Sequence, residues 1–223
     1  MTTIHNILFD FGGVIFRLNS VQEPIRRFRA LGFTDADRYL GLYGQRGLFL
    51  QVEDGSIGAE EFLRLLAERC GRPSVSFEEA SWAWMGYIRG VPPEGLQGLL
   101  RLKEHYRLGL LSNTNPFIQA WARSSAFSGD GHPIGRYFHV LCCSHELRDY
   151  KPAISMFRKA LEVSGMRAKE TVFLDDSPRN VEGAQRAGIH GLLVPPDGDW
   201  MPVLDEFLRR NGQHTPEPPR LEA

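Results

Sequence analysis

A chain of 223 residues, 42% hydrophobic and 24% charged, has the make-up of a globular protein large enough for one α/β domain with an insertion. A formal net charge of −1 gives no bulk attraction to nucleic acid or to a membrane, and no apolar run approaches spanning length. Three cysteines (Cys70, Cys142 and Cys143) make no disulfide framework, and the amino terminus enters a core strand without a leader-like apolar stretch, so a cytoplasmic location is expected.

The first apolar run, Ile4 to Phe9, reads as a buried strand that closes in Asp10-Phe11-Gly12-Gly13-Val14. Residues 17–91 read as a helical insertion. Within it Val21 to Leu31, Ala59 to Arg69 and Phe77 to Ile88 have helix-compatible apolar spacing, and Thr34 is placed to cap a short helix. Trp82, Trp84 and Met85 read first as packing inside this insertion, with a share in shaping a substrate site as the second reading. Pro92-Pro93 cannot continue a helix and marks the return to the core.

The pattern then alternates: helix 94–104, strand 107–111, helix 116–123, strand 138–142, helix 152–164, strand 171–174, helix 178–187, strand 191–194 and helix 200–210. Strands alternating with helices predict a parallel sheet in an α/β fold. Ser124 to Pro133 reads as a surface loop, and the Pro-rich residues 212–223 as a loose tail.

The chemistry gathers at the strand ends. Asp10 follows the first strand, and Asp175-Asp176-Ser177-Pro178-Arg179-Asn180 follows the strand 171–174. Carboxylates just past the ends of parallel strands lie where open α/β sheets bind ligands. Three together repel one another unless a hard divalent cation neutralises them, and Mg2+ takes oxygen ligands while keeping room for a phosphate. Ser112 and Asn113, at the end of strand 107–111, have a hydroxyl and an amide that can donate to phosphate oxygens. Pro152 suits the first turn of a helix, which places Lys151 at a helix N-terminus, a fixed cation beside free N–H groups. Either acidic cluster alone could merely cap a turn or helix. Lys151 and Ser112-Asn113 tip the balance to a functional site.

These four segments, in this order, resemble the four motifs of the haloacid dehalogenase-like superfamily. Residues 17–91, with Glu53-Asp54-Gly55-Ser56-Ile57 and Glu60-Glu61-Phe62, resemble the helical cap of its subfamily I. The resemblance implies a three-layer Rossmann-like core from residues 1–16 and 92–211, and a cap from 17–91. It implies Asp10 as the nucleophile, and Mg2+ held by Asp10, the Gly12 carbonyl and Asp176, with Asp175 in the first or second coordination shell. Ser112 and Asn113 would hold the phosphate, Lys151 would neutralise its charge, and Asn180 would brace the last loop.

Two positions depart from the pattern: Gly12 stands where the family has an aspartate acting as general acid and base, and Arg148 where a glycine is common. Bacterial phosphatases of glycosyl 1-phosphates also have Gly at the first of these, so the resemblance favours a Mg2+-dependent phosphatase of a small phosphorylated metabolite, a sugar phosphate, working through an aspartyl-phosphate. A general acid contributes about 10²–10⁴-fold, so without one activated esters should be favoured. His145 and Glu146, between a strand and Lys151, are the candidate substitutes. The alternatives are a metal-independent haloacid dehalogenase, whose halide leaves without a proton, and a catalytically weak domain binding a ligand or protein. Asp175-Asp176 argues against the first, and Gly12 is the only support for the second.

Overall fold

The computed structural model describes residues 2–196 and 198–215. The chain opens with β1 (Asn6–Phe9) and β2 (Arg17–Leu18), followed by helices α1 (Gln22–Ala30), α2 (Gly47–Glu53), α3 (Ala59–Arg69) and α4 (Phe77–Trp84), and then β3 (Ile88–Gly90). The alternating part is α5 (Pro93–Lys103), β4 (Arg107–Ser112), α6 (Pro116–Ala122), β5 (Val140–Cys143), α7 (Ser144–Leu147), α8 (Ile154–Ser164), β6 (Thr171–Asp175), α9 (Pro178–Arg186), β7 (His190–Leu193) and α10 (Met201–Arg210).

Five strands form one parallel sheet in the order β5-β4-β1-β6-β7. Its strands are apolar on both faces because helices cover both. In β1, Ile7 and Phe9 join the core shared with Leu99 of α5, Phe117 of α6 and Leu204 of α10, while Leu8 joins Phe157 of α8 and Ala184 of α9. This is the expected three-layer α/β arrangement. The chain moves outward from β1 to β4 and β5, then returns to its other side for β6 and β7. The strand order therefore reverses beside β1, and the crevice that binds ligands in such sheets opens at its carboxyl end.

The inserted helices have their own aromatic centre. Phe49 meets Phe28 edge-on at 4.8 Å between centroids and Phe62 at 5.5 Å, and Trp84 packs on Phe28 at 5.5 Å. Phe62 and Phe77 reach across to Phe117 of α6, which seats the insertion on the core. Trp84 is thus wholly a packing residue, and the exposed Trp82 lies under the Arg27 guanidinium; neither lines the site cavity.

Several local expectations are corrected. The helix expected over 77–88 ends at Trp84, because Ile88–Gly90 pairs antiparallel with β2; strands this short carry no readable period. Thr34 makes no cap, and Asp35 precedes the short 3-10 turn at Ala36–Arg38. Helix α2 adds to the three segments of the insertion whose spacing predicts helices. Pro152 is outside helix α8, which starts at Ile154 with Ala153 as its N-cap, after a cis Lys151–Pro152 bond. Residues 212–215 are tied down, since Gln213 exchanges two hydrogen bonds with the main chain of Ile4 and Thr215 bonds to Asp205. The rest of the expected tail, 216–223, lies outside the described residues. Among the described residues no helix is long and apolar enough to cross a membrane.

Candidate active site

β1 ends at the sheet centre and delivers Asp10, whose N–H donates to the Leu174 carbonyl of the neighbouring β6 at 2.8 Å. The chain then turns tightly, with Gly13 at φ +78°. A Cβ on Gly13 would lie 2.3 Å from Oδ2 of Asp176, so glycine is what lets the two loops meet.

β6 places Asp175 at its last position, fully buried, and Asp176 directly after it. Asp175 Oδ1 accepts the Ser177 N–H at 2.8 Å, the Asn180 amide donates to both carboxylate oxygens at 3.1 Å, and Lys151 Nζ donates to Oδ2 at 2.8 Å. Asn180 therefore braces this loop through Asp175. Lys151 Nζ also donates to Asp10 Oδ1 at 2.6 Å and sits 5.1 Å above the Phe173 ring.

The charges are strongly coupled. Burial opposes the Lys151 ammonium, but Asp10 and Asp175 outweigh it and hold the group above its ordinary range. Burial first, and Asp175 second, push the Asp10 carboxyl up to about 7 against the pull of Lys151. Asp10, Asp175 and Asp176 present carboxylate oxygens that all lie within 4.8 Å of one another. One ammonium cannot balance three carboxylates, and an all-oxygen donor set of this kind fits a hard divalent cation.

Lys151 is held from the side rather than by a helix terminus. Asn113 Oδ1 accepts the Lys151 N–H at 2.8 Å, and Asn113 Nδ2 donates to the Lys151 carbonyl at 3.0 Å. The amide expected to contact phosphate is thereby engaged, and its observed work is to fix the lysine. Ser112 is buried at the end of β4, with its Oγ donating to the Asn113 carbonyl at 3.3 Å. Arg148, at the position where the resemblance leads one to expect glycine, stands at φ +50°, a left-handed conformation that costs residues other than glycine about 1–2 kcal/mol.

The substitutes expected for the missing acid point elsewhere. The His145 ring donates from Nδ1 to the Thr114 carbonyl, and its Nε2 lies 2.9 Å from Gln119. Glu146 is engaged by Arg123 on the surface. Neither lines the cavity of about 100 Å3 that Asp10, Gly12, Ser112, Lys151 and Asp176 share.

The same cavity has a second wall that sequence reasoning did not find, made of Gln45, Glu53 and Tyr87 from the insertion, with Tyr150 beside Lys151. Glu53 ends α2, its carbonyl accepts from Ser144 Oγ, and its Oε2 accepts from Tyr150 Oη at 3.0 Å. The glycine of the Glu53-Asp54-Gly55 motif explains the close fit, for a Cβ on Gly55 would lie 2.4 Å from the His145 carbonyl. In the sequence Glu53 stands out only as part of the insertion's motif, and nothing local shows which way its carboxyl faces.

Burial pushes Glu53 up to about 8, with the Tyr150 bond only partly offsetting it. The folded protein therefore keeps a proton there that the unfolded chain releases near 4.5. Stability should fall as pH rises through this window, by on the order of 4 kcal/mol from this group. Glu53→Gln should flatten the profile, measured as urea midpoints at pH 5 and pH 8. Parallel losses in both proteins would mean that Glu53 is ionised when folded.

The model of the family described as haloacid dehalogenase-like hydrolase matches residues 4–188. The chain belongs to that family. D-ribitol-5-phosphate phosphatase of Bacteroides thetaiotaomicron is 37% identical over 205 residues, covering 92% of this chain and 98% of that protein. Among solved structures, a HAD-like family hydrolase from Porphyromonas gingivalis superposes with a TM-score of 0.86 at 35% identity, covering 93% of this chain and 99% of that one. A wild-type HAD family enzyme from Bacteroides thetaiotaomicron, in complex with magnesium and inorganic phosphate, gives 0.79 at 34% identity over 88% of this chain and 97% of its own. In this HAD-like hydrolase the four sequence segments meet: Asp10, Ser112, Lys151 and Asp176 face one cavity at the sheet's switch point.

Proposed function

We propose that this hydrolase is a Mg2+-dependent phosphatase that cleaves the phosphate monoester of a small polyhydroxylated metabolite, a sugar or sugar alcohol, through a phosphoryl-Asp10 intermediate. The observation that carries this reading is the convergence of Lys151 on Asp10 at 2.6 Å and on Asp175 at 2.8 Å, with the oxygens of Asp10, Asp175 and Asp176 within 4.8 Å of one another and Asp10, Lys151 and Asp176 lining one cavity. A relative that spans the same length is named for a phosphorylated sugar alcohol.

In this reading Asp10 and Asp176, with the Gly12 carbonyl, would hold Mg2+, and Asp175 acts by orienting Lys151 and the loop of Asn180. The chemistry that Mg2+ supplies when bound is neutralisation of the carboxylates and of the phosphoryl oxygens. Asp10 attacks phosphorus in line, Lys151 balances the charge shared by Asp10 and the phosphoryl group, and Ser112 donates to a phosphoryl oxygen. Water then cleaves the phosphoryl-Asp10 bond. Residues 17–91 serve as a cap, and Gln45, Tyr87 and Tyr150 give the cavity hydroxyl and amide groups suited to a polyol.

A panel of phosphorylated sugars and sugar alcohols, assayed with Mg2+ and with chelator, tests this. Phosphate should appear only with Mg2+. Halide release from 2-haloacids in chelator would instead establish the dehalogenase. Gly13→Ala should raise the Mg2+ concentration for half-maximal rate by about 10–100-fold, because its methyl group displaces Asp176. An unchanged Mg2+ response would remove Asp176 from the metal site.

A further inference from the structure

The phosphatase reading leaves one duty without a residue, the proton for the departing oxygen. A primary alkoxide, such as a sugar alcohol phosphate releases, is a poor leaving group and depends on a general acid. Gly12 offers none, and its surroundings are apolar: a Cβ there would lie 3.3 Å from Leu18 Cδ2 and 3.3 Å from Phe16 Cζ. His145 and Glu146 are engaged outside the cavity.

In-line displacement sets the leaving oxygen on the side of phosphorus away from the attacking carboxylate. The cavity wall that the insertion supplies contains a single carboxyl group, Glu53. Two features build it into the site. The residue is 5% exposed, with Oε2 fixed by the Tyr150 hydroxyl at 3.0 Å. Its main chain is anchored to the core by Ser144, and Gly55 docks two residues later against His145. On the core side of the same cavity, in the loop between β4 and α6, Thr114 Oγ1 is buried with no hydrogen-bond partner among the described residues, a gap that a ligand hydroxyl would fill.

We propose that Glu53 is the proton donor to the leaving-group oxygen, an assignment that rests on the phosphatase reading above. As an Asp10 oxygen bonds to phosphorus and the ester P–O bond breaks, the Glu53 proton passes to the departing oxygen, which leaves as an alcohol. Water then attacks phosphorus on phosphoryl-Asp10, giving its proton to the Glu53 carboxylate. The Asp10–phosphorus bond breaks, inorganic phosphate leaves, and both side chains return to their starting states. The carboxyl starts protonated because burial pushes it up to about 8. The titratable groups facing it are Tyr150 and Tyr87, both raised by burial and by Glu53 itself, and Asp54, whose charge adds to its upward shift.

The test compares ribitol 5-phosphate with p-nitrophenyl phosphate, whose phenolate leaves with little help, on the full-length protein with Mg2+. Glu53→Gln should lower kcat/KM for the alkyl ester by about 10²–10⁴-fold and for the aryl ester by less than about tenfold. The alkyl-ester kcat/KM of the unaltered protein should fall above about pH 8, and that fall should vanish in the variant. Tyr150→Phe, which leaves the carboxyl in place but without its hydroxyl partner, should show the same selectivity to a smaller degree. Equal losses on both esters, or no loss on the alkyl ester, would overturn the assignment. If the unaltered protein cleaved neither these esters nor any in the panel, the phosphatase reading itself would fall.

Discussion

Asp10→Asn should end phosphate release. The amide cannot form the covalent intermediate, and loss of a nucleophile in covalent catalysis costs on the order of 10⁶-fold in kcat. The variant should still fold, because the substitution is isosteric and Lys151 keeps its 2.8 Å partner in Asp175. Asp176→Asn should behave differently, with turnover persisting at raised Mg2+. Steady-state phosphate release across a Mg2+ titration separates the two. Residual turnover by Asp10→Asn above about a thousandth of the natural rate would move the nucleophile elsewhere.

Lys151→Met should unfold more easily than any other single change at the site. The ammonium is 1% exposed and balances Asp10 and Asp175 together. Removing one partner of a buried ion pair costs about 3–5 kcal/mol, because the charge left behind has no compensation. The loss should be larger at neutral pH than at acid pH, where Asp10 is protonated, since that carboxyl titrates at about 7 in the folded protein. Urea unfolding at both pH values measures this. A loss below about 1 kcal/mol at neutral pH would mean that the carboxylates are not ionised around the lysine.

Much of the frame was legible because its signals are local. The runs at β1, β4 and β6 are apolar on both faces, and each ends in polar residues the site uses, so Asp10, Ser112 and Asp175 could be placed at strand ends before their neighbours were known. The convergence of Lys151 was also legible, but its support was not. A proline after a lysine suggests a helix start, whereas two hydrogen bonds exchanged with Asn113, 38 residues away in sequence, hold the lysine instead. Glu53 was missed for the same reason. Its place in the cavity depends on how α2 docks against α7 through Ser144 and Gly55, a long-range fit that leaves no periodic trace. β2 and β3 were missed because two or three residues cannot show alternation.

The most direct measurement is mass spectrometry of the protein quenched in acid during turnover of ribitol 5-phosphate. With Mg2+ present, a phosphoryl group should be found on the peptide containing Asp10, in an acyl linkage that hydroxylamine cleaves, and it should be absent with chelator. Phosphate release without a phosphoryl group on Asp10 under rapid quench, or with the group on another residue, would contradict the mechanism assigned to this site.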